Sequence, residues 1–264
     1  MRPLRFNPKG RPAPKTSWEG VSDWYGGYLK RGDTFQEKIV FPGALRLLAP
    51  KDGGRYLDIA CGEGAFIRLA AASKNIHAVG IDASASLIQQ AKRQAAKRAD
   101  FLVGDAARTS ELVSPASFDG AVSILAIQNI EPFEPVVAGA AKALKPESPF
   151  VIVMNHPAFR IPRQSGWGWD ENRKLQYRRV DRYLSSFEVP IQAHPGSAPG
   201  LKTFSYHRPL STYAAALSKH GFSIDAIEEW ASHRVSDSGP KARAENVARQ
   251  EIPMFLAIRA KKTA

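Results

Sequence analysis

Three short apolar runs each end at or just before an aspartate: "YLDIACGEGAF" carries Asp58, "HAVGIDAS" carries Asp82 and "DFLVGDA" carries Asp105. A carboxylate brings a negative charge and two acceptor oxygens. It can pair with an ammonium, accept from both hydroxyls of a vicinal diol, or accept from an exocyclic amino group. After Asp58 the residues are small. Ala60, Gly62 and Gly64 let a ligand lie against bare backbone, and a helix starting after Gly64 offers free N–H groups and a positive dipole end. A second set of reactive side chains comes later. His156 and His207 titrate near neutral pH and could remove a proton from a phenol or hydroxyl. Arg160 and Arg163 could hold a carboxylate or phosphate, and Trp167 and Trp169 could wall an aromatic ligand.

The elements that must position these groups follow from periodicity. "RYLDIA", "HAVGIDA", "DFLVGDA", "FDGAVSILA" and "PFVIVMN" read as strands, and "GAFIRLAAAS", "ASLIQQAKRQAAKR" and "FEPVVAGAAKALKP" as the helices between them, with Ser84 as an N-cap. Short, nearly continuous apolar strands alternating with helices indicate an α/β fold with a parallel sheet covered on both faces. The alternation stops over 156–208, which is rich in aromatics, arginine and proline. It resumes with the helix "PLSTYAAALSKHGF", closed by Gly221, and the strands "SIDAIEEW" and "PMFLAIRAKK", with 231–252 reading as a polar loop. The expected organisation is an N-terminal arm and aromatic segment over 1–35, a core over 36–155 and 209–264, and an inserted cap over 156–208.

Totals narrow the function classes. The 264 residues carry 37 Lys and Arg against 25 Asp and Glu, a formal charge of +12. The excess concentrates in the arm, at Arg2, Arg5, Lys9, Arg11 and Lys15, and in 160–182. That suits an acidic partner such as RNA, although solvated basic faces are common. No apolar run approaches the roughly 20 residues of a membrane span. The opening "MRPLRFNPKGRPAPK" lacks the apolar core of a secretory signal, and its prolines oppose the helix of a transit peptide. Cys61 is the single cysteine, so no disulfide or cysteine zinc site can form, and a cytoplasmic protein is expected.

Two nucleotide ligands compete for the first strand–helix turn. A dinucleotide needs G-x-G-x-x-G, but Ile67 stands at the third glycine, and there is no Walker A loop. S-adenosylmethionine fits better: Asp58 for its cationic end, Asp82 for the ribose diol and Asp105 for the adenine amino group. These motifs resemble the class I S-adenosylmethionine-dependent methyltransferases, most closely the small-molecule branch with a type 11 core. "LDIACGEG", "GIDAS", "GDA" and "FDGAVSILAIQNI" carry the likeness, with Ala60 where glycine is frequent and Gln128–Asn129 where many relatives have a histidine pair.

The resemblance implies a Rossmann-like seven-stranded, mostly parallel sheet with the last strand antiparallel, and a cap inserted after the fifth strand. It implies a cofactor shell of Tyr25, Asp58, Ala60, Gly62, Gly64, Asp82, Ala83, Asp105, Ala106 and Ile124, and methyl transfer to a small-molecule oxygen, nitrogen or carbon. The catalytic candidates are His156, His207 and Arg160. RNA methylation through the basic arm and cap, and cofactor binding without transfer, are the alternatives. "NHPAF" resembles the N-P-P-[YF] motif of amino-group methyltransferases but follows the fifth strand instead of the fourth, with His156 in place of the first proline. No aspartate–asparagine cluster for magnesium occurs, so no metal is expected.

Overall fold

The computed structural model describes residues 32–192 and 202–263. Its centre is a seven-stranded sheet built from β1 (Arg55–Ile59), β2 (His77–Asp82), β3 (Ala99–Val103), β4 (Gly120–Ile124), β5 (Pro149–Asn155), β10 (Phe222–Trp230) and β11 (Phe255–Lys262). The order across the sheet is β10-β11-β5-β4-β1-β2-β3. β1 pairs in parallel with β2 and β4, as do β2 with β3 and β4 with β5; β11 runs antiparallel between β5 and β10. The expected fold is therefore present, with its antiparallel final strand.

Helices cover both faces because the strands carry apolar side chains on both. Leu57, Ile59, Ile81, Phe150 and Ile152 pack with α5 (Glu134–Ala143) and α6 (Leu210–Lys219). Tyr56, Ala78, Val122, Val151 and Val153 pack with α1 (Phe41–Leu48), α2 (Ala65–Ser73) and α3 (Ala85–Arg93). The two-residue strand period puts Asp58 on the second face, beside Tyr56. Ser84 caps α3 as expected, accepting from Leu87 N at 3.2 Å.

The structure differs from the sequence reading in two places. The stretch read as a polar loop contains a helix, α7 (Ala242–Glu251), after a one-turn α4 (Thr109–Leu112) earlier in the chain. Among α7 residues only Ala248 is buried, so no wide apolar stripe marked it, although "ARAENVARQE" is made largely of good helix formers. The aperiodic 156–208 segment contains two hairpins. β6 (Ser165–Asp170) pairs with β7 (Leu175–Val180), and β8 (Phe187–Gln192) with β9 (Lys202–His207), each a separate two-stranded sheet. In β6 every residue is half-buried, so the apolar–polar alternation of a one-faced strand is missing.

Ala60, the first residue past β1, has φ 63°, in the left-handed region that an L side chain enters at a cost. Ala60→Gly should raise unfolding stability by roughly 1 kcal/mol in a urea titration. A midpoint that stays put or falls would show that the turn carries no relievable strain.

Candidate active site

The strand order reverses between β1 and β4, and in open α/β sheets ligands bind beyond the carboxyl ends of the strands at such a point. Asp58 is the penultimate residue of β1, Asp82 ends β2, Asp105 lies two residues past β3 and Ile124 ends β4. Backbone hydrogen bonds tie the tips together. Asp82 Oδ2 accepts from Gly62 N and its Oδ1 from Ser84 N, both at 2.9 Å, so this carboxylate joins the β1–α2 loop to the β2–α3 loop. Cys61 N adds a bond to Ile81 O, also at 2.9 Å. Gly64 turns the chain into α2 with φ 75°, and a Cβ there would meet the Phe101 ring at 2.7 Å. Asp105 Oδ1 accepts from Ala107 N at 2.9 Å, and Ala106 is buried behind it.

Asp58 behaves differently from its neighbours. Its side chain is buried, it does not cap α2, and no donor among the described residues reaches its carboxylate. Burial first, and then the nearby Asp82 charge, push its pKa up to about 8. Burial and the same two carboxylates raise the Cys61 thiol well above its ordinary value, which keeps it protonated and unreactive. A buried carboxylate with no counter-charge at the tip of β1 is a ready partner for an ammonium. The loop after it is backbone at Gly62 and Gly64, with Glu63 turned away and held by Arg68 at 2.9 Å. These residues fit S-adenosylmethionine. Tyr25 lies outside the described residues. Two surface recesses elsewhere, one along β3 and α3 and one around Lys51, Tyr56 and Lys145, do not touch the strand tips.

On the other flank, His156 follows β5. Its Nε2 is 2.6 Å from Glu229 Oε1, and its Nδ1 accepts from Ala158 N at 3.1 Å. Nε2 therefore carries the proton, and both ring nitrogens are engaged. His156 clamps the end of β5 to the end of β10, and burial keeps its pKa below the usual imidazole value. His207 ends β9, stacks against Phe187 and donates from Nε2 to Tyr183 O at 2.7 Å, while its Nδ1 has no hydrogen-bond partner among the described residues. Burial lowers its pKa as well. Arg163 is committed to Pro190 O at 3.1 Å, whereas Arg160 reaches no acidic partner among the described residues. Trp167 stacks under Arg178 and Trp169 under Lys241.

Sequence reasoning passed over the polar ties that hold the cap. Asn129 Nδ2 donates to Phe204 O at 2.8 Å, which fastens β9 to the turn after β4. Gln128 Nε2 bonds Leu125 O at 2.8 Å, and its Oε1 is buried without a partner. The buried Arg208 donates to Ile130 O and pairs with Glu131. Among the described residues no three His, Cys, Asp or Glu side chains gather to hold a metal, and no helix is long and apolar enough to cross a membrane.

Residues 50–160, which contain β1 to β5, match the family model Methyltransf_31, a methyltransferase domain. An S-adenosylmethionine-dependent methyltransferase from Mesorhizobium loti superposes with a TM-score of 0.67 at 28% identity, over 86% of this chain and 99% of that one. The chain carries a methyltransferase domain over residues 50–160 and has the fold of the class I S-adenosylmethionine-dependent methyltransferases. An uncharacterised methyltransferase of Emericella nidulans is 25% identical over 179 residues, 57% of this chain and 62% of the relative. The Haemonchus contortus phosphoethanolamine N-methyltransferase 2, solved in complex with S-adenosyl-L-methionine, shares the fold at 20% identity with a TM-score of 0.55, over 85% of this chain and 52% of that one. The cofactor of this methyltransferase is S-adenosylmethionine, and the product left behind is S-adenosylhomocysteine.

An Asp58 carboxyl that pairs with the cofactor ammonium would couple binding to pH. Below about pH 8 its carboxyl is neutral in the free enzyme, so pairing with an ammonium must expel a proton. S-adenosylhomocysteine affinity should therefore rise by up to about tenfold per pH unit toward pH 8 and then level. Calorimetry in two buffers of different ionisation enthalpy should count close to one released proton at pH 7, and none in Asp58→Asn. A wild-type enzyme that releases no proton would place the cofactor ammonium elsewhere.

Proposed function

We propose that this methyltransferase modifies a small-molecule acceptor enclosed beneath the 156–208 cap, by direct displacement. When bound, S-adenosylmethionine supplies a methyl group whose leaving group is a neutral thioether. The chain supplies alignment. Asp58 holds the cofactor ammonium and Asp82 the ribose diol, while Asp105 accepts from the adenine amino group. Ala60, Gly62 and Gly64 give close backbone approach, and Ala83, Ala106 and Ile124 flank the cofactor. For an acceptor that must lose a proton, His207 is the proton acceptor: neutral near pH 7, buried among aromatic rings, with Nδ1 unclaimed by described residues. His156 is a positioning residue, since both its nitrogens are bonded.

The observation that favours a small molecule over RNA is how the cap spends its arginines. Arg163 bonds Pro190 O, Arg179 pairs with Asp181, Arg182 stacks on Phe187 and Arg208 pairs with Glu131. Cations committed to internal partners build a cap and do not form an open phosphate-binding face. Location inside the cytoplasm remains part of this proposal.

Calorimetry of S-adenosylhomocysteine with wild type and Asp82→Ala tests the cofactor placement. Loss of about 100-fold or more in the variant is expected, since both a diol partner and the loop-bridging carboxylate disappear; equal affinity would refute it. With an acceptor that turns over, the acid limb of kcat should lie below pH 6.5, because burial lowers the His207 pKa and only the neutral ring accepts a proton. His207→Gln should abolish that limb and cost about 10²–10⁴-fold in kcat. An unchanged profile would assign proton removal to water or to no group.

A further inference from the structure

Three arginines lie near the turn that follows β5. Arg160 lies in the turn after β5, its N–H bonded to His156 O at 2.8 Å, and its side chain is half-buried. Arg178 reaches in from β7, donating from Nε to Phe159 O at 2.7 Å and from Nη2 to Ser165 Oγ at 3.0 Å. Arg249 comes from the last turn of α7, which packs on β7, and donates to Ser236 Oγ at 3.1 Å. Every one of these bonds goes to a neutral acceptor.

No carboxylate among the described residues pairs with any of the three. Four acids of this region are engaged elsewhere. Glu229 holds His156, Glu171 holds Lys174 and Asp181 holds Arg179, while Asp170 accepts from the Asn172 and Arg173 N–H groups. The cost of the crowding is visible in the pKa of Arg160, brought down to about 10 by burial and then by repulsion from Arg178 and Arg249. Buried or half-buried cations are ordinarily paired, and an uncompensated group of three is an anion site by charge alone. Guanidinium forks match the paired oxygens of carboxylates and phosphates.

The strand order gives this site its place. The aspartates assigned to the cofactor lie at the carboxyl ends of β1 and β2 and just past β3, and the arginines lie near the carboxyl end of β5, where β11 begins, on the far side of β4. We propose that Arg160, Arg178 and Arg249 receive a carboxylate or phosphate group of the acceptor, so that the enzyme methylates an anionic small molecule. This rests on the small-molecule reading above. It also replaces Arg163, the sequence-level partner of Arg160, with two arginines remote in the sequence.

The test uses the full chain saturated with S-adenosylhomocysteine, titrated with inorganic phosphate and with acetate at constant ionic strength. Wild type should bind at least one of them with a dissociation constant on the order of 1 mM. Preference for phosphate would point to a phosphate ester and preference for acetate to a carboxylic acid, and either supports the site. Arg160→Gln and Arg249→Gln should each weaken that binding by about tenfold or more, and Arg160→Lys by less. S-adenosylhomocysteine affinity should be unchanged in all three variants, a separate readout that also shows they fold. Binding of neither anion, equal binding in the variants, or competition between anion and S-adenosylhomocysteine would overturn the proposal. So would a short single-stranded RNA that binds far more tightly than phosphate and is lost in the same variants, since the arginines would then serve nucleic acid. Failure of S-adenosylhomocysteine to bind at all would strike the cofactor placement and leave the anion result standing by itself.

Discussion

Two carboxylates, Asp58 and Asp82, are held close together at a place where the sheet excludes water. Burial and the Asp82 charge make Asp58 harder to ionise, and among the described residues only Asp82 is given hydrogen-bond donors. Asp82 receives the N–H groups of Gly62 and Ser84; Asp58 receives nothing from the described residues. The chain tolerates this because both aspartates extend strands whose inner residues are firmly buried, so the sheet holds the charges where they are. Among the described residues Asp58 meets no counter-charge, and the proposed cofactor ammonium would supply one. The same bonds that fix Asp82 also fix the loop after β1, so the geometry of the glycine turn and the electrostatics of the crevice are set by one side chain.

The acceptor flank is assembled on another plan. There several polar groups act as fasteners. His156 joins β5 to β10, Asn129 joins the turn after β4 to β9, and Arg208 fills the space between that turn and the start of α6. Hydrogen bonds in such dry surroundings fix orientation strongly because breaking one leaves a buried partner unsatisfied. Ring contacts such as Phe187 on His207 add to these ties. Among the described residues, Asp58 meets no cation and Arg160, Arg178 and Arg249 meet no carboxylate.

The cofactor half was legible in the sequence because its chemistry and its periodicity coincide. Asp58 and Asp82 stand in apolar strands and Asp105 just past a third, and Gly62 and Gly64 mark a turn no other element explains. The acceptor half was not. Arg178 and Arg249 are separated from Arg160 by a hairpin and by most of the C-terminal third of the chain, and nothing local in the sequence brings them together. The α7 helix that carries Arg249 buries one alanine, so no apolar stripe announced it. His156 illustrates a different limit. Its residue type and its position at a strand end both suggested proton transfer, and only the packing shows Glu229 across a 2.6 Å contact and two backbone N–H groups on the other nitrogen.

The placement of β11 has a consequence for the order in which the molecule comes into being. β11 follows every other strand in the chain, yet it lies between β5 and β10 and pairs with both. During synthesis β1 to β5 emerge first and can close the cofactor crevice among themselves, but β5 then presents a bare edge and β10 has no strand to join. Arg249 lies in α7, the helix before the strand that seals this edge. A chain in which β1 to β5 have formed and β11 has not would leave the β5 edge unpaired and open to other chains.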